Sequence, residues 1–268
     1  MYREDELKLQ KYLFGAFPKV SLVISMSRSD KNDFVEKVSN SVNMEVFDIT
    51  EDISNEYLND LYALITPYVY VIDLDKLSIN KQNMILKFIE DSPSQSYILL
   101  LVSMKSTVIP TINTRCVEFQ LHNYTKKDLI DYAKGLNIEN DLLISVSQTL
   151  DDIDNYRNCD LMPLQNLCDS IGLNISKATL PNTLSIPHKY LYFKDKEPGK
   201  YDLDIFVRML KQSFYKLFRN TKSKVVYDLY KETVSFTDKL NITSVSKEML
   251  CDNLMIKLWV ISRGNNEH

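Results

Sequence analysis

Five short apolar runs, each with the length of a β-strand, recur along the first part of the chain. They cover residues 20–26, 44–49, 68–73, 97–102 and 116–121. The run at 68–73 (YVYVID) is made of β-branched and aromatic residues up to its final aspartate, which is typical of a strand buried on both faces. The pattern therefore predicts the strands of a buried sheet.

The segments between these runs have the spacing of helices with one apolar side. The predicted helices cover residues 4–17, 31–40, 53–65 and 79–91. Ser78 is a candidate cap for the last of them, whose apolar side carries Ile85 and Phe88. Helices that alternate with strands indicate a mainly parallel sheet covered on both faces. We expect this α/β domain to end near Asn123.

From Thr125 onward the pattern is helical. Helices are predicted at 125–135, 139–150 and 160–171, followed by a proline-containing stretch with a candidate strand at 190–193. Three more helical segments follow within 203–262, the first with a stripe of apolar residues at helical spacing. The predicted organisation is an α/β core at 1–123, a small helical unit at 124–172, a connection at 173–202 and an all-α domain at 203–268.

Glycine is scarce. The chain has five glycines among 268 residues, and none lies between Gly15 and Gly135, whereas an average protein contains about 7% glycine. The phosphate-binding patterns GxxxxGK[ST] and GxGxxG both need glycines that let the backbone approach a phosphate closely. The composition therefore excludes both patterns in the α/β core.

Charge and cysteine content narrow the class of protein further. The net charge is −4, which disfavours stand-alone DNA binding because that activity usually needs a basic excess. The four cysteines form no CxxC pair, so neither a disulfide framework nor a zinc module is expected. The charged start and the lack of an 18-residue apolar run lead us to expect a cytoplasmic protein without a membrane partner.

The segment from Asp73 to Cys116 carries the most specific pattern in the sequence. An acidic residue ends a buried strand, a DKL turn follows, and a helix reads NMILKFIEDSP before another buried strand and the string PTINTRC. This arrangement resembles the AAA+ clamp-loader family, most of all its bacterial delta-prime subunits. The matching positions are Asn83, Leu86, Lys87, Glu90, Asp91 and Pro93 on the helix, and Pro110, Thr111, Ile112, Thr114, Arg115 and Cys116 in the last string.

The resemblance implies an AAA+ core, a helical lid at 124–172 and an oligomer-forming collar at 203–268. In the family, the arginine of the last string reaches into the nucleotide site of the adjacent subunit. Arg115, flanked by Thr114 and Cys116, is therefore the predicted catalytic group acting in trans, since a guanidinium matches phosphate oxygens bidentately. A surface arginine paired with a carboxylate is the alternative.

Departures from the family pattern imply that the chain's own nucleotide site is degenerate. The turn after the first strand reads SRSDKNDF, without glycine, and Lys31 within it is expected to be a solvated lysine at a helix start. Ile72 stands at the position of the family's metal-binding aspartate, Asp73 is the acidic remnant, and Met104 replaces a polar sensor. We expect no ATP hydrolysis by this chain and no bound cofactor or metal.

The expected role is that of a non-hydrolysing subunit of a ring ATPase that loads a sliding clamp onto primed DNA. The implied partners are other AAA+ clamp-loader subunits, the sliding clamp and, through the complex, primer-template DNA. Three alternatives stay open: a clamp-opening delta-type subunit, a divergent AAA+ ATPase or DNA-remodelling enzyme, and an interaction module that kept the fold. The four-cysteine zinc insertion of many bacterial members is missing, which leaves a divergent source such as a phage open.

Overall fold

The computed structural model describes residues 3–93, 95–191, 201–237, 240 and 245–264. Two units divide the chain. The first combines Met1–Gly135 with Gln148–Asp154, and the second combines Leu136–Ser147 with Asn155–His268. The roles of lid and collar remain predictions for segments within these units.

The first unit is built on a five-stranded sheet. Its strands are β1 (Val20–Ile24), β2 (Val46–Asp48), β3 (Val69–Asp73), β4 (Tyr97–Val102) and β5 (Val117–Gln120). They are parallel throughout and lie in the order β2-β3-β4-β1-β5. The predicted parallel α/β sheet is confirmed, and each strand lies within or at the apolar run that predicted it.

Helices flank the sheet. They are α1 (Arg3–Leu13), α2 (Arg28–Val42), α3 (Asn55–Leu61), α4 (Ile79–Met84), α5 (Leu86–Glu90), α6 (Pro110–Asn113) and α7 (Lys126–Gly135). The chain crosses from β1 to β2 in one direction along the sheet and returns through β3 and β4 to β5 in the other. Because such crossovers are right-handed, α2 lies on one face and the helices of the return path lie on the other.

Successive strand residues fill separate cores on the two faces, as the period of a β-strand requires. Leu22 and Leu100 pack with Phe88 of α5 on one face. Val23 packs with Phe34 of α2 on the other face, where α1 also contributes. Burial on both sides explains why the strands are continuously apolar in sequence.

The structure corrects two helix predictions. The helix predicted at 79–91 is interrupted at Ile85, which separates α4 from α5. The single helix predicted at 139–150 is replaced by α8 (Asp141–Val146) and the start of α9 (Leu150–Tyr156). The Asp152 carboxylate accepts the N–H groups of Gln148 and Thr149 at 2.8 and 3.0 Å, so it caps a separate helix there.

The second unit is helical in its described part. After α8 and the end of α9 it contains α10 (Met162–Asn174), α11 (Leu180–His188), α12 (Leu203–Thr221), α13 (Lys224–Thr237) and α14 (Lys247–Arg263). The three helical segments predicted within 203–262 are confirmed. The predicted strand at 190–193 is not formed at residues 190 and 191, where Leu191 makes one isolated bridge to Tyr201, and residues 192 and 193 lie outside the described residues.

Phe88 offers a test of the core between the sheet and α5. Its side chain is 1% exposed, and its ring centroid lies 5.7 Å from that of Tyr62 and 5.3 Å from that of Tyr70. We expect Phe88→Ala to lower the free energy of unfolding by about 3–5 kcal/mol, because it leaves a cavity. Urea denaturation followed by circular dichroism measures this loss. Lys87→Ala on the same helix is the control, with an expected change within about 0.5 kcal/mol, and equal losses in both variants would contradict the prediction.

Candidate functional site

The turn between β1 and α2 occupies the position of a phosphate-binding loop in the resemblance described above. Ser27 is the N-cap of α2, in an extended conformation, and its hydroxyl accepts the N–H of Asp30 at 3.1 Å. The carboxyl ends of β1, β3 and β4 meet at the same edge of the sheet, because the strands are parallel. This edge is where parallel α/β sheets generally bind ligands.

The Asp151 carboxylate lies at the N-terminus of α2. One of its oxygens, Oδ2, accepts the backbone N–H of Arg28 at 2.7 Å, the N–H of Ser29 at 3.2 Å and the hydroxyl of Ser27 at 3.1 Å. Burial opposes ionisation of Asp151, but the hydrogen bonds from Ser29, Ser27 and Arg28 outweigh it, so its pKa lies below the ordinary value. The groups that would face a phosphate therefore face a carboxylate of the chain itself.

Lys31 is not the solvated lysine that the sequence predicts. Its side chain is 7% exposed, and its Nζ lies 3.2 Å from Oδ2 of Asp75. The same ammonium group donates to the Ser103 hydroxyl at 3.3 Å. A position at a helix start suggested a solvated lysine. The carboxyl ends of the neighbouring strands instead bring Asp75 and Ser103 beside it, and they pair with and accept from its ammonium group.

Asp75 connects the ends of β3 and β4. Its carboxylate accepts the N–H of Ser103 at 2.9 Å and the hydroxyl of Ser103 at 2.6 Å. Its own N–H donates to Asp73 at 3.1 Å, so Asp73 caps the turn. Burial raises the pKa of Asp73, with Lys31 acting in the opposite direction. The remnant acid thus belongs to a structural network in this chain.

A cavity of about 310 Å³ opens between α2 and the carboxyl half of strands β2 to β4. Its charged lining consists of the cations Arg28, Lys31 and Lys76 and the acids Glu36, Asp48 and Asp73. The balance of charge does not favour an anion such as a phosphate. Among the described residues, no group of three His, Cys, Asp or Glu side chains could hold a metal ion.

Arg115 lies directly after α6 and the Thr114 that ends it. Its Nε donates to Glu90 Oε1 at 2.5 Å, and its Nη1 donates to the Thr111 carbonyl at 2.9 Å and to the Thr114 hydroxyl at 3.4 Å. The arginine side chain is 37% exposed and the glutamate 47%. The structure therefore brings together two residues of the recognised motif and holds the guanidinium at the surface.

Arg115 and the Lys31 network lie at opposite ends of the parallel strands. Arg115 is at the amino ends, and the Lys31 network is at the carboxyl ends. Arg115 immediately precedes the β5 region, whereas Ser103 follows β4 and Asp73 ends β3. In a parallel sheet these positions are separated by the length of a strand, about 15 Å for five residues. The Arg115 guanidinium is therefore remote from the phosphate-loop position of its own chain.

Cys116 is a packing residue. It is half-buried against the core formed by the sheet and α3 to α6. Burial raises the pKa of its thiol to about 12, with Glu118 contributing in the same direction. A thiol with so high a pKa is protonated at neutral pH and is a poor nucleophile.

The partners that fill the phosphate-loop position were not predicted from the sequence. Asp151 lies more than 120 residues from the groups that donate to it, and it falls just beyond the helix predicted at 139–150. Asp75 was visible only as part of the DKL turn. Neither position carries a local signal, because each function depends on a partner from a distant segment.

The comparisons with known proteins agree with the class that the motif suggested. Residues 25–125 match the family model described as DNA polymerase III, delta subunit. This segment contains the β1–α2 turn, the Asp75 network and Arg115. The resemblance to DNA polymerase III clamp-loader subunits is therefore confirmed for this part of the chain.

A particular relative is the DNA polymerase III subunit delta' of Buchnera aphidicola subsp. Baizongia pistaciae (strain Bp). It is 33% identical over 79 residues, which are 30% of this chain and 24% of that protein. The matched region thus spans about a quarter of the relative's length.

Two solved structures from Thermotoga maritima are similar at a lower level. A DNA polymerase III gamma subunit-related protein has a TM-score of 0.45 and 12% identity, and the match covers 97% of this chain and 99% of that one. A RuvB variant has a TM-score of 0.44 and 14% identity, covering 83% and 93%. Scores below 0.5 are too low to establish a shared fold.

No helix in the described part of the chain is long and apolar enough to cross a membrane.

Lys31→Met tests whether the buried ion pair holds this edge together. The change keeps most of the side-chain volume but leaves Asp75 without its cation. We expect the free energy of unfolding to fall by about 3 kcal/mol, the lower end of the range for broken buried pairs, because Ser103 still donates to Asp75. Urea denaturation measures the loss.

Lys76→Met is the matched control for this change. Lys76 pairs with Glu51 at 3.0 Å, and their side chains are 50% and 78% exposed, so we expect a change below about 1 kcal/mol. The double variant Lys31→Met with Asp75→Asn should lose less than the sum of the two single changes. Equal losses in Lys31→Met and Lys76→Met would contradict the structural role of the pair.

Proposed function

We infer that this chain is a delta-prime-like, non-hydrolysing subunit of a clamp loader, in which it supplies Arg115 to the ATP site of a neighbouring subunit. One observation carries the inference. Arg115 lies within the segment that matches the DNA polymerase III delta family model. It is exposed at the amino ends of the strands, whereas the degenerate nucleotide position is at their carboxyl ends. An arginine so placed is unsuited to act on a nucleotide bound to its own chain.

The surroundings of Arg115 fit a role in trans. Pro110 starts α6 and Thr114 ends it, so the arginine projects from a short, well-defined corner. The contact with Glu90 is exposed, and exposed ion pairs are worth at most about 1 kcal/mol. A phosphate of an adjacent subunit could therefore replace Glu90 at small cost and gain bidentate hydrogen bonds from the guanidinium.

The non-hydrolysing part of the proposal rests on the edge that holds Lys31 and Asp151. In P-loop ATPases, a lysine and a helix N-terminus bind the phosphates. Here Asp75 pairs with Lys31, and Asp151 accepts the N–H groups of the α2 N-terminus. The chain is thus expected to stabilise the assembly rather than to consume ATP.

The wider proposal assigns an AAA+ core without a phosphate loop to residues 1–123, with a lid at 124–172 and an oligomer-forming collar at 203–268. The partners are other clamp-loader subunits, a sliding clamp and, through the complex, primer-template DNA. The proposed location is the cytoplasm. These assignments rest on the match of residues 25–125 to the DNA polymerase III delta family model and on the similarity to a delta' subunit. Copurification of such partners from the native host would support them.

Arg115→Ala is the direct test of the role in trans. In a reconstituted complex, we expect assembly to be unchanged and ATP turnover at the neighbouring site to fall by about 10³-fold or more, the usual effect of losing an arginine finger. Clamp loading should fall with it. The total ATPase rate drops by the share that this site contributes, which steady-state phosphate release measures.

Lys105→Ala is the control for this variant. Lys105 is another exposed cation of the first unit, paired with Glu118, and its loss should leave the ATPase unchanged. Arg115→Lys keeps the charge but not the fork of donors, so we expect it to behave like Arg115→Ala. Wild-type ATPase in a fully assembled Arg115→Ala complex would overturn the assignment.

The purified chain should not bind ATP. Titration of ATP with Mg²⁺ followed by calorimetry is expected to give no binding in the micromolar range, because internal carboxylates already occupy Lys31 and the N-terminus of α2. A dissociation constant of micromolar or below, or ATP hydrolysis by the chain alone, would contradict the non-hydrolysing role. Either result would favour the alternative of a divergent ATPase.

A further inference from the structure

We propose that the Asp151 carboxylate is a built-in substitute for a bound anion at the N-terminus of α2, and that it keeps the start of α9 docked there whether or not nucleotide is present. The inference deepens the proposed function, since it rests on the interpretation of this turn as a degenerate nucleotide position. It assigns a regulatory consequence to one residue: the loss of an anion-dependent motion in this chain.

The geometry of the contact is that of an anion site. Oδ2 of Asp151 receives two consecutive backbone N–H groups, from Arg28 and Ser29, together with the Ser27 hydroxyl. The first N–H groups of a helix have no intrahelical partner, and the helix dipole favours negative charge there. The helix that receives Asp151 is 15 residues long, so its dipole is fully developed.

Asp151 is not the residue that caps its own helix. Asp152 accepts the N–H groups of Gln148 and Thr149, which is the local capping task at the start of α9. Asp151, one residue earlier, instead accepts from groups 122 to 124 residues away. Two adjacent aspartates therefore divide the work, one within α9 and one between α9 and α2.

The charged groups around the N-terminus of α2 do not favour an additional anion there. Asp30, in the first turn of α2, is 2% exposed, and its carboxylate accepts the Tyr124 hydroxyl at 2.9 Å. Lys31 is neutralised by Asp75. An incoming phosphate would have to displace Asp151 and also lie near the charge of Asp30, so the N-terminus is closed to anions while Asp151 is present.

The consequence concerns the segment that carries Asp151. Where a bound anion joins two elements, they can be docked or undocked. Binding or release of the anion shifts the equilibrium between these two states by the difference in its affinity for them. A carboxylate of the chain is present whether or not nucleotide is bound, so the contact between the start of α9 and α2 needs no nucleotide. We expect residues 148–154 to stay docked on the core in a wild-type chain under all nucleotide conditions.

Asp151→Ala in the full chain tests the proposal with inorganic phosphate as the probe. Hydrogen exchange at the amides of Arg28 and Ser29 should become at least about 10-fold faster, because both lose their acceptor. At constant ionic strength, 20 mM phosphate in place of chloride should raise the thermal midpoint of the variant by about 2–4 °C, since the opened N-terminus now binds an anion. The wild-type midpoint should be the same in both salts.

Asp60→Ala is the control, since Asp60 is an exposed carboxylate on α3 of the same unit, and it should behave like the wild type in both measurements. Unchanged exchange at Arg28 and Ser29 in Asp151→Ala, or no stabilisation of that variant by phosphate, would overturn the proposal. An equal phosphate shift in the wild type would also overturn it.

If Asp151→Ala does not fold, Asp151→Asn decides, because it keeps the shape of the side chain and removes the charge. Exchange at the two amides that is faster than in the wild type supports the proposal, and wild-type rates refute it. Both measurements use this chain alone. An Arg115-dependent ATPase can therefore be present while the Asp151 proposal fails, and the reverse outcome is equally distinguishable.

Discussion

The first turn of α2 needs acceptors for its backbone N–H groups, and the organisation of the functional edge depends on how this chain supplies them. A helix start leaves four such groups without intrahelical partners. The β1–α2 turn has no glycine, so its backbone is not built to wrap closely around a phosphate. Side chains satisfy the turn instead: the Ser27 hydroxyl accepts from Asp30, and Asp151 accepts from Arg28 and Ser29. The start of α9 becomes part of the α/β unit as a result.

Burial of Lys31 imposes the second constraint on this edge. A desolvated ammonium group is costly unless it is paired and hydrogen-bonded. Asp75 provides the pair, and Ser103 fixes that carboxylate through both its backbone N–H and its hydroxyl. The resulting network ties α2 to the ends of β3 and β4, which are strands that also neighbour each other in the sheet. Charges that could serve a nucleotide are thereby used to hold three elements of the fold together.

Sequence reasoning predicted the features that depend on local patterns. The buried strands, such as β3 and β4, follow from continuous apolar runs, and the order of helices and strands led to the parallel sheet. The surface position of Arg115 and its pairing with a carboxylate were among the stated alternatives. The burial of Lys31 and the contact of Asp151 with α2 could not be predicted, because they depend on which distant segments meet at one edge. The break before α9 was missed because it depends on a cap, Asp152, that lies just beyond the helix predicted at 139–150.

Under the proposed function, the separation of the two sites along the strands explains how nucleotide chemistry can be lost while the role of Arg115 is kept. The network of Lys31 and Asp75 lies at the carboxyl ends of the strands, and Arg115 lies at their amino ends, about a strand length away. Internal carboxylates can therefore stabilise the Lys31 network without changing the surroundings of Arg115. The contact of Arg115 with Glu90 is exposed, so it orders the guanidinium without binding it strongly. The proposed exchange of Glu90 for a phosphate needs such a weak, solvent-exposed partner, whereas the pair of Lys31 with Asp75 is largely buried.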